Sequence, residues 1–355
     1  MKAAVLRELN KPLSIEDVEL EKPGPGQVLV KTAASGVCHS DLHFIDGSWP
    51  MPLPAVLGHE AAGVVEEVGA GVTYVQPGDH VVLLFVPFCG ICRFCTTGRP
   101  NLCRDGRSMQ PVLKIGDRMQ PAFLGMSSFA EHILLPEGGV VKIRQDVPLE
   151  QAALVGCGVM TGVGAAINTA KVAPGSTCAV IGTGGVGLNV IQGCALAGAA
   201  KIIAVDVREN KLAMARRFGA THTIDASQED PVKAVRDLTG GGADYAFEVI
   251  GLPAAITQAF DMVRRGGEAI VVGMSPFGSQ VSVDATAFLS EKVLRGCVYG
   301  STRPRYDMPM ILDLYMAGKL NLDDLVSRRY PLEGINDAFD ALRAGEVARS
   351  VITFN

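Results

Sequence analysis

Ala179-Val180-Ile181-Gly182-Thr183-Gly184-Gly185-Val186-Gly187 is the stretch that decides the fold. An apolar run leads into a G-x-G-x-x-G turn, and an apolar-faced helix leads out of it. Alone the pattern is weak, because a chain with 41 glycines can match it by accident; the flanking strand and helix give it meaning. Gly182 allows the tight turn, Gly184 lets backbone N–H groups approach a pyrophosphate, and Gly187 lets helix and strand pack closely, with Gly185 and Val186 opening the helix. Asp206 ends the next apolar run, 19 residues after Gly187. A carboxylate there accepts both hydroxyls of an adenosine ribose and repels the extra phosphate of NADP, so NAD is the expected dinucleotide. Arg208 and Lys211 follow directly. Contact with the ribose and simple solvation on the next helix both suit them.

Outward from this turn, strand-like runs alternate with Ala-rich helical stretches. Strands are expected at 177–181, 201–206, 243–249 and 268–272, and helices at 186–197, 209–218 and 253–263. That alternation is the signature of right-handed βαβ units around a parallel sheet. Before about residue 150 the character differs. Short β-branched runs at 27–32, 61–68 and 80–85 lie between turn signals such as Pro23-Gly24-Pro25-Gly26 and Gln76-Pro77-Gly78-Asp79, which reads as a mostly antiparallel β domain. Beyond about residue 305 helices are expected at 308–317 and 332–344, and a strand at 350–354.

With 355 residues, the chain suits two domains rather than one core. Hydrophobic residues at 48% and charged residues at 19% fit a folded chain and exclude a disordered one. A net charge of −5 without a dense basic block argues against a nucleic-acid partner. The N-terminus shows no apolar leader segment, and the apolar runs, such as 81–85, are strand-sized against the roughly 18 residues a bilayer span needs. No membrane association and a cytoplasmic, reducing setting are expected, where the nine cysteines serve as thiols or metal ligands.

Cys89, Cys92, Cys95 and Cys103 place four thiols within fifteen residues. Four thiolates at such spacings close a tetrahedron around one ion and leave no open position, which is a structural site; Zn²⁺ and Fe both accept it. Cys38, His59 and Cys157 are three further candidate ligands. Two thiolates and one imidazole leave a tetrahedral Zn²⁺ one open position, the catalytic arrangement. Spacing alone does not join them, since about 120 residues separate Cys38 from Cys157.

Gly58-His59-Glu60 with Ala61-Ala62-Gly63, the four-cysteine cluster, Gly156-Cys157-Gly158 and the Gly182 turn together resemble the medium-chain, zinc-dependent alcohol dehydrogenase family, in its bacterial, class III-like branch. The resemblance runs from Pro23-Gly24-Pro25-Gly26 to Arg349-Ser350-Val351-Ile352. It implies an α/β chain: a mostly β GroES-like catalytic domain over 1–160, completed by 300–355, and a Rossmann domain with a doubly wound parallel sheet over 161–299. It also implies two zinc ions per subunit, Cys38, His59 and Cys157 holding the catalytic one and the cysteine cluster the structural one. Glu60 would sit behind the catalytic zinc, and Asp41 would accept the free N–H of His59. The zinc would lower the pKa of a primary aliphatic or aromatic alcohol, whose hydride passes to NAD to give the aldehyde.

By the same resemblance Ser40 and then His43 would carry the released proton to solvent, although His43 also fits an ordinary surface imidazole. Thr161, Val249, Val272 and Arg349 would join the cofactor contacts. His39 stands where relatives often carry Arg against a cofactor phosphate, and weaker NAD binding is expected from it. Trp49, Phe85, Phe123 and Leu124 would line an apolar substrate pocket, with Phe123 and Leu124 equally readable as core. Two rival readings remain: a formaldehyde dehydrogenase dependent on a glutathione- or mycothiol-type thiol, and a catalytically inactive NAD(H)-binding scaffold. For the first, Arg104, Arg107 and Arg118 could face an acidic thiol, with surface solvation the alternative. The runs at 268–273 and 295–299 fall where relatives pair subunits, so a homodimer or homotetramer is expected.

Overall fold

In the computed structural model, which describes residues 1–107 and 110–354, the chain separates into two units, Met1–Gly158 with Arg303–Asn355, and Val159–Thr302. In the second unit six strands form one sheet: β1 (Thr177–Ile181), β2 (Lys201–Asp206), β3 (His222–Asp225), β4 (Ala243–Glu248), β5 (Val263–Val271) and β6 (Val293–Gly296). Every neighbouring pair is parallel, and the spatial order is β3-β2-β1-β4-β5-β6. β1 and β2 are apolar along nearly their whole length because helices cover both faces of a parallel sheet. Ile181, Val205, Ile224, Val235 and Phe260 make one buried cluster of that packing. The strand order reverses between β1 and β4, and the turn after β1 lies at that switch point.

β3 and the helix α1 (Pro231–Thr239) were not among the sequence expectations. Asp230 caps that helix by accepting from the Val232 amide at 2.9 Å, Pro231 opens it, and Gly240 closes it at φ 71°. The strand expected over 268–272 starts earlier, as Val263–Val271, and the one expected over 295–299 is Val293–Gly296. Beyond the second, Tyr299 (φ 56°) and Ser301 (φ 49°) turn the backbone left-handed.

The first unit is built on the long strand Gln27–Val37, which pairs antiparallel with Ala61–Val68, His132–Pro136 and Arg349–Thr353. Arg349–Thr353, outside the first 150 residues for which mostly antiparallel pairing was expected, also pairs in parallel with Val326–Tyr330. Register is what matters for function. Ser35 faces Ala61, and Val37 faces Ser350. The residue after the first strand (Cys38), those before the second (His59, Glu60) and the first of the third (Arg349) therefore meet at one end of the sheet.

One expectation needs correction. The apolar runs are not all strand-sized: Leu149–Ala170 is a 22-residue helix long and apolar enough to cross a membrane by length and composition, yet 83% of its apolar window is buried inside the fold. It is a core helix, apolar all round because it is covered all round.

Candidate functional site

The four clustered cysteines come together as their spacing suggested. Their sulfurs lie 3.6 Å (Cys92–Cys95), 3.6 Å (Cys89–Cys103), 3.8 Å (Cys92–Cys103) and 4.0 Å (Cys89–Cys95) apart. A tetrahedron with ~2.3 Å zinc–sulfur bonds has edges of ~3.8 Å, so the four thiols already stand at ligand positions. Amide N–H groups of Cys92 and Cys89 donate to the sulfurs of Cys89 and Cys103, each at 3.3 Å, a pattern that stabilises thiolates. The backbone bonds to Cys89 hold its thiol down at about 7.

The second set is deeply buried. One donor atom each from Cys38, His59, Glu60 and Cys157 lies within 4.8 Å of the others. Cys157 Sγ stands 3.3 Å from His59 Nε2, close to the ~3.5 Å edge of a tetrahedron with one sulfur and one nitrogen ligand. The other imidazole nitrogen, Nδ1, lies 3.0 Å from Asp41 Oδ1, which also accepts the Gly58 amide at 3.2 Å. Nε2 is thereby presented to the cluster and the tautomer is fixed. Burial opposes a charge on His59, but the Asp41 carboxylate prevails and holds the imidazole well above its usual range.

Local sequence explains why Cys157 can reach this place. It sits in a π-helical turn, Val155–Val159, a distortion common at functional sites. A Cβ at Gly156 would lie 3.0 Å from the Leu83 carbonyl and 3.4 Å from the Ala61 amide, tighter than a side-chain carbon ordinarily packs, so glycine eases the close approach of the helix to the sheet. A Cβ at Gly158 would meet Arg349 Nη2 at 2.5 Å. Arg349 lies inside the cluster, 4% exposed, with Nε 3.5 Å from Glu60 Oε1 and Nη2 buried without a hydrogen-bond partner. Burial pushes the Glu60 carboxyl up to about 7, Arg349 acting in the opposite direction.

The short helix His39–Ile45 follows Cys38 at once. His39 is exposed, while Ser40 and His43 are half-buried, and His43 Nδ1 is shielded without a hydrogen-bond partner. Phe85 stands edge-on to His59 at 5.5 Å between ring centres. Phe123 packs edge-to-face on Phe44 at 4.8 Å, and Trp49 lies 6.3 Å from Phe44 on another side. Phe123 is buried and Leu124 half-buried in a left-handed conformation (φ 48°). Phe44 was not among the candidate residues, though it lies one helical turn after Ser40 and joins Trp49 to Phe123. Of the three arginines considered, Arg104 and Arg118 are exposed. Arg107 is half-buried instead: its Nη2 donates to the Phe85 carbonyl at 2.8 Å, and its Nε is shielded without a partner.

In the other unit, the glycine turn has the geometry its sequence required. Gly182 has φ 90°, and a Cβ there would strike Ile250 Cγ1 at 2.5 Å. A Cβ at Gly187 would collide with the Gly182 carbonyl. Gly184 differs, since a Cβ there would meet nothing within 4 Å. Packing inside the chain does not demand glycine at 184; open space above the helix Gly185–Leu196 does, if a ligand is to touch backbone there. Asp206, the last residue of β2, is 9% exposed in this region. Its Oδ2 accepts the Thr183 amide at 2.9 Å and hydroxyl at 3.0 Å, and its Oδ1 accepts the Val207 and Arg208 amides at 2.8 and 3.2 Å.

Lys211 lies on the helix Glu209–Arg217, half-buried like Thr161, Val249 and Val272. Glu248, a residue the sequence reading passed over, ties the loops that carry the two valines. Its Oε1 accepts the Ile250 and Gly251 amides at 2.8 and 2.6 Å, while its main-chain oxygen accepts the Val272 and Gly273 amides at 2.8 and 3.0 Å. A lone acidic residue closing an apolar strand was the available signal.

Comparison with known proteins agrees with this construction. Residues 24–145 match the alcohol dehydrogenase GroES-like domain, and residues 185–316 the zinc-binding dehydrogenase domain. A solved alcohol dehydrogenase zinc-binding domain protein from Burkholderia ambifaria is 38% identical over 100% of this chain and 98% of its own, with a TM-score of 0.93. The benzyl alcohol dehydrogenase of Acinetobacter calcoaceticus is 36% identical over 100% and 99%, with a TM-score of 0.95. An alcohol dehydrogenase from Thermus sp. ATN1 is 31% identical over 100% of both chains, with a TM-score of 0.88. Matched along its whole length, with a Cys₄ site and a buried Cys/His/Glu site in its catalytic part, the chain belongs to the medium-chain, zinc-dependent alcohol dehydrogenase family.

Proposed function

We propose that this enzyme oxidises a primary alcohol, aromatic or aliphatic, to the aldehyde with NAD as hydride acceptor, and runs reversibly. The observation that carries the reading is the buried trio of Cys38, His59 and Cys157, with His59 oriented by Asp41. Two soft thiolates and one imidazole suit Zn²⁺ and leave a position for an alcohol oxygen. Zinc bound there supplies Lewis acidity that makes the alcohol proton easier to remove, and NAD supplies the hydride acceptor. Ser40 takes that proton and His43 hands it to solvent. Trp49, Phe85, Phe123 and Leu124 exclude water and hold an apolar substituent, which suits a benzyl-type substrate such as the one named for the Acinetobacter relative.

Glu60 stays behind the ligands, and Arg349 balances its charge or turns to a cofactor phosphate. Gly182, Gly184, Gly185, Val186 and Gly187 cradle the pyrophosphate, Asp206 takes the ribose, Arg208 and Lys211 flank it, and Thr161, Val249 and Val272 hold the nicotinamide end. The cysteine cluster holds the second zinc. A cytoplasmic setting suits the free thiols of both sites. His39→Arg is expected to tighten NADH by roughly three- to tenfold, since a full charge replaces a partial one beside phosphate; an unchanged NADH dissociation constant contradicts this.

A second reading has an observation of its own. Arg107, half-buried beside Phe85 with a shielded Nε, offers an anion contact near the pocket wall, which suits an S-hydroxymethyl adduct of an acidic thiol. A steady-state screen of alcohols with NAD, with and without a low-molecular-weight thiol, separates the two. Benzyl alcohol turnover without thiol supports the first reading, a formaldehyde rate that requires thiol supports the second, and no NADH from zinc-loaded protein leaves the inactive scaffold. Self-association through the outer edge of β6, near exposed Leu289, Val293 and Val298, is also proposed, and a monomer mass by light scattering would exclude it.

A further inference from the structure

We propose that the Thr183 hydroxyl is an internal stand-in for the cofactor's ribose, holding an acceptor site on Asp206 that a ribose hydroxyl must take over, and so lowering affinity for NAD(H). The inference rests on the nucleotide reading of this turn given above. A carboxylate offers about four acceptor positions. In Asp206 all four are already used from within the chain: Oδ2 by the Thr183 amide and hydroxyl, Oδ1 by the Val207 and Arg208 amides. A ribose hydroxyl that donates to this carboxylate therefore has to displace a donor. Three of the donors are backbone amides fixed by the turn and by the end of β2. The fourth, 3.0 Å away, is a hydroxyl on a single rotatable bond, and it alone can yield without moving the main chain.

The carboxylate does not need that hydroxyl for its orientation. Amides already pin each of its oxygens, so removing the hydroxyl opens one acceptor position and leaves the rotamer in place. NADPH gains little from the opening, because its 2′-phosphate replaces one of the two ribose hydroxyls that could donate there and sets a second negative charge against the carboxylate. Thr183 thus acts through Asp206, as a positioning residue that tunes cofactor affinity.

The test measures NADH and NADPH dissociation constants by calorimetry on the full-length, zinc-loaded protein. Thr183→Val keeps the β-branched shape at a position that is 1% exposed, and Thr183→Ala serves as a second hydroxyl-free variant. Both are expected to bind NADH about five- to tenfold more tightly than the parent while NADPH binding stays within about twofold. Thr183→Ser, which restores the hydroxyl, is expected to match the parent for both nucleotides. Unchanged or weaker NADH binding in the hydroxyl-free variants overturns the inference, as does a serine variant that behaves like valine. Failure of the parent itself to bind NADH overturns the nucleotide reading, and this inference with it.

Discussion

A Cys157→Ser chain is expected to fold, to lose about one zinc per subunit, and to oxidise alcohol at least about a thousandfold more slowly than the parent. Serine keeps the size of the side chain in the π-helical turn but offers a neutral hydroxyl where a thiolate belongs. Cys157 Sγ approaches His59 Nε2 at 3.3 Å, so in the proposed site it would form one edge of the ligand tetrahedron, and Cys38 with His59 alone would be too few ligands for tight binding. Cys157 also steadies its partner, since its hydrogen bond holds the Cys38 thiol well below the usual range and its own thiol correspondingly higher. Circular dichroism and NADH binding should match the parent, because the glycine turn lies elsewhere in the chain. Retained zinc with retained turnover would remove Cys157 from the ligand set.

The other large effect belongs to the four-cysteine segment. From Cys89 to Cys103 only Asn101 and Cys103 are buried, and Ile91 is 84% exposed. Such a segment has almost no apolar contact to hold it, so the proposed zinc would supply its order; structural zinc contributes on the order of 10 kcal/mol in small zinc domains. Cys103→Ser should release that zinc, and cleavage by trypsin after the exposed Arg93 and Arg104 should accelerate about a hundredfold or more. A variant as resistant to trypsin as the parent would mean that the segment is held by something else.

Much of the parallel-sheet unit was readable in the chain because its signals are local. The Gly182 turn, the strand before it and Asp206 after the next strand lie within about 30 residues, and each glycine answers a short-range steric need. Asp230-Pro231 and Gly240 were equally local start and stop marks for a helix, but the polar residues between them masked its apolar face. The helix Leu149–Ala170 escaped for the opposite reason: buried on every side, it has no polar stripe to give it a period. Cys38, His59 and Cys157 could be joined only by resemblance, because strand register and the contact at Gly156 bring them together, and neither is written in spacing. Arg107 could not be told from its neighbours for a similar cause. Its neighbours Arg104 and Asp105 are polar and exposed, and only folding sets it against Phe85.

Zinc-dependent oxidation of an alcohol with NAD can be followed as NADH formation from benzyl alcohol in protein stripped of metal and then titrated with Zn²⁺. The stripped protein is expected to be inactive and to recover as zinc is added until the Cys38, His59 and Cys157 site is filled, with the Cys157→Ser chain inactive throughout. Full activity in the stripped protein, or recovery in the Cys157→Ser chain equal to that of the parent, would contradict it.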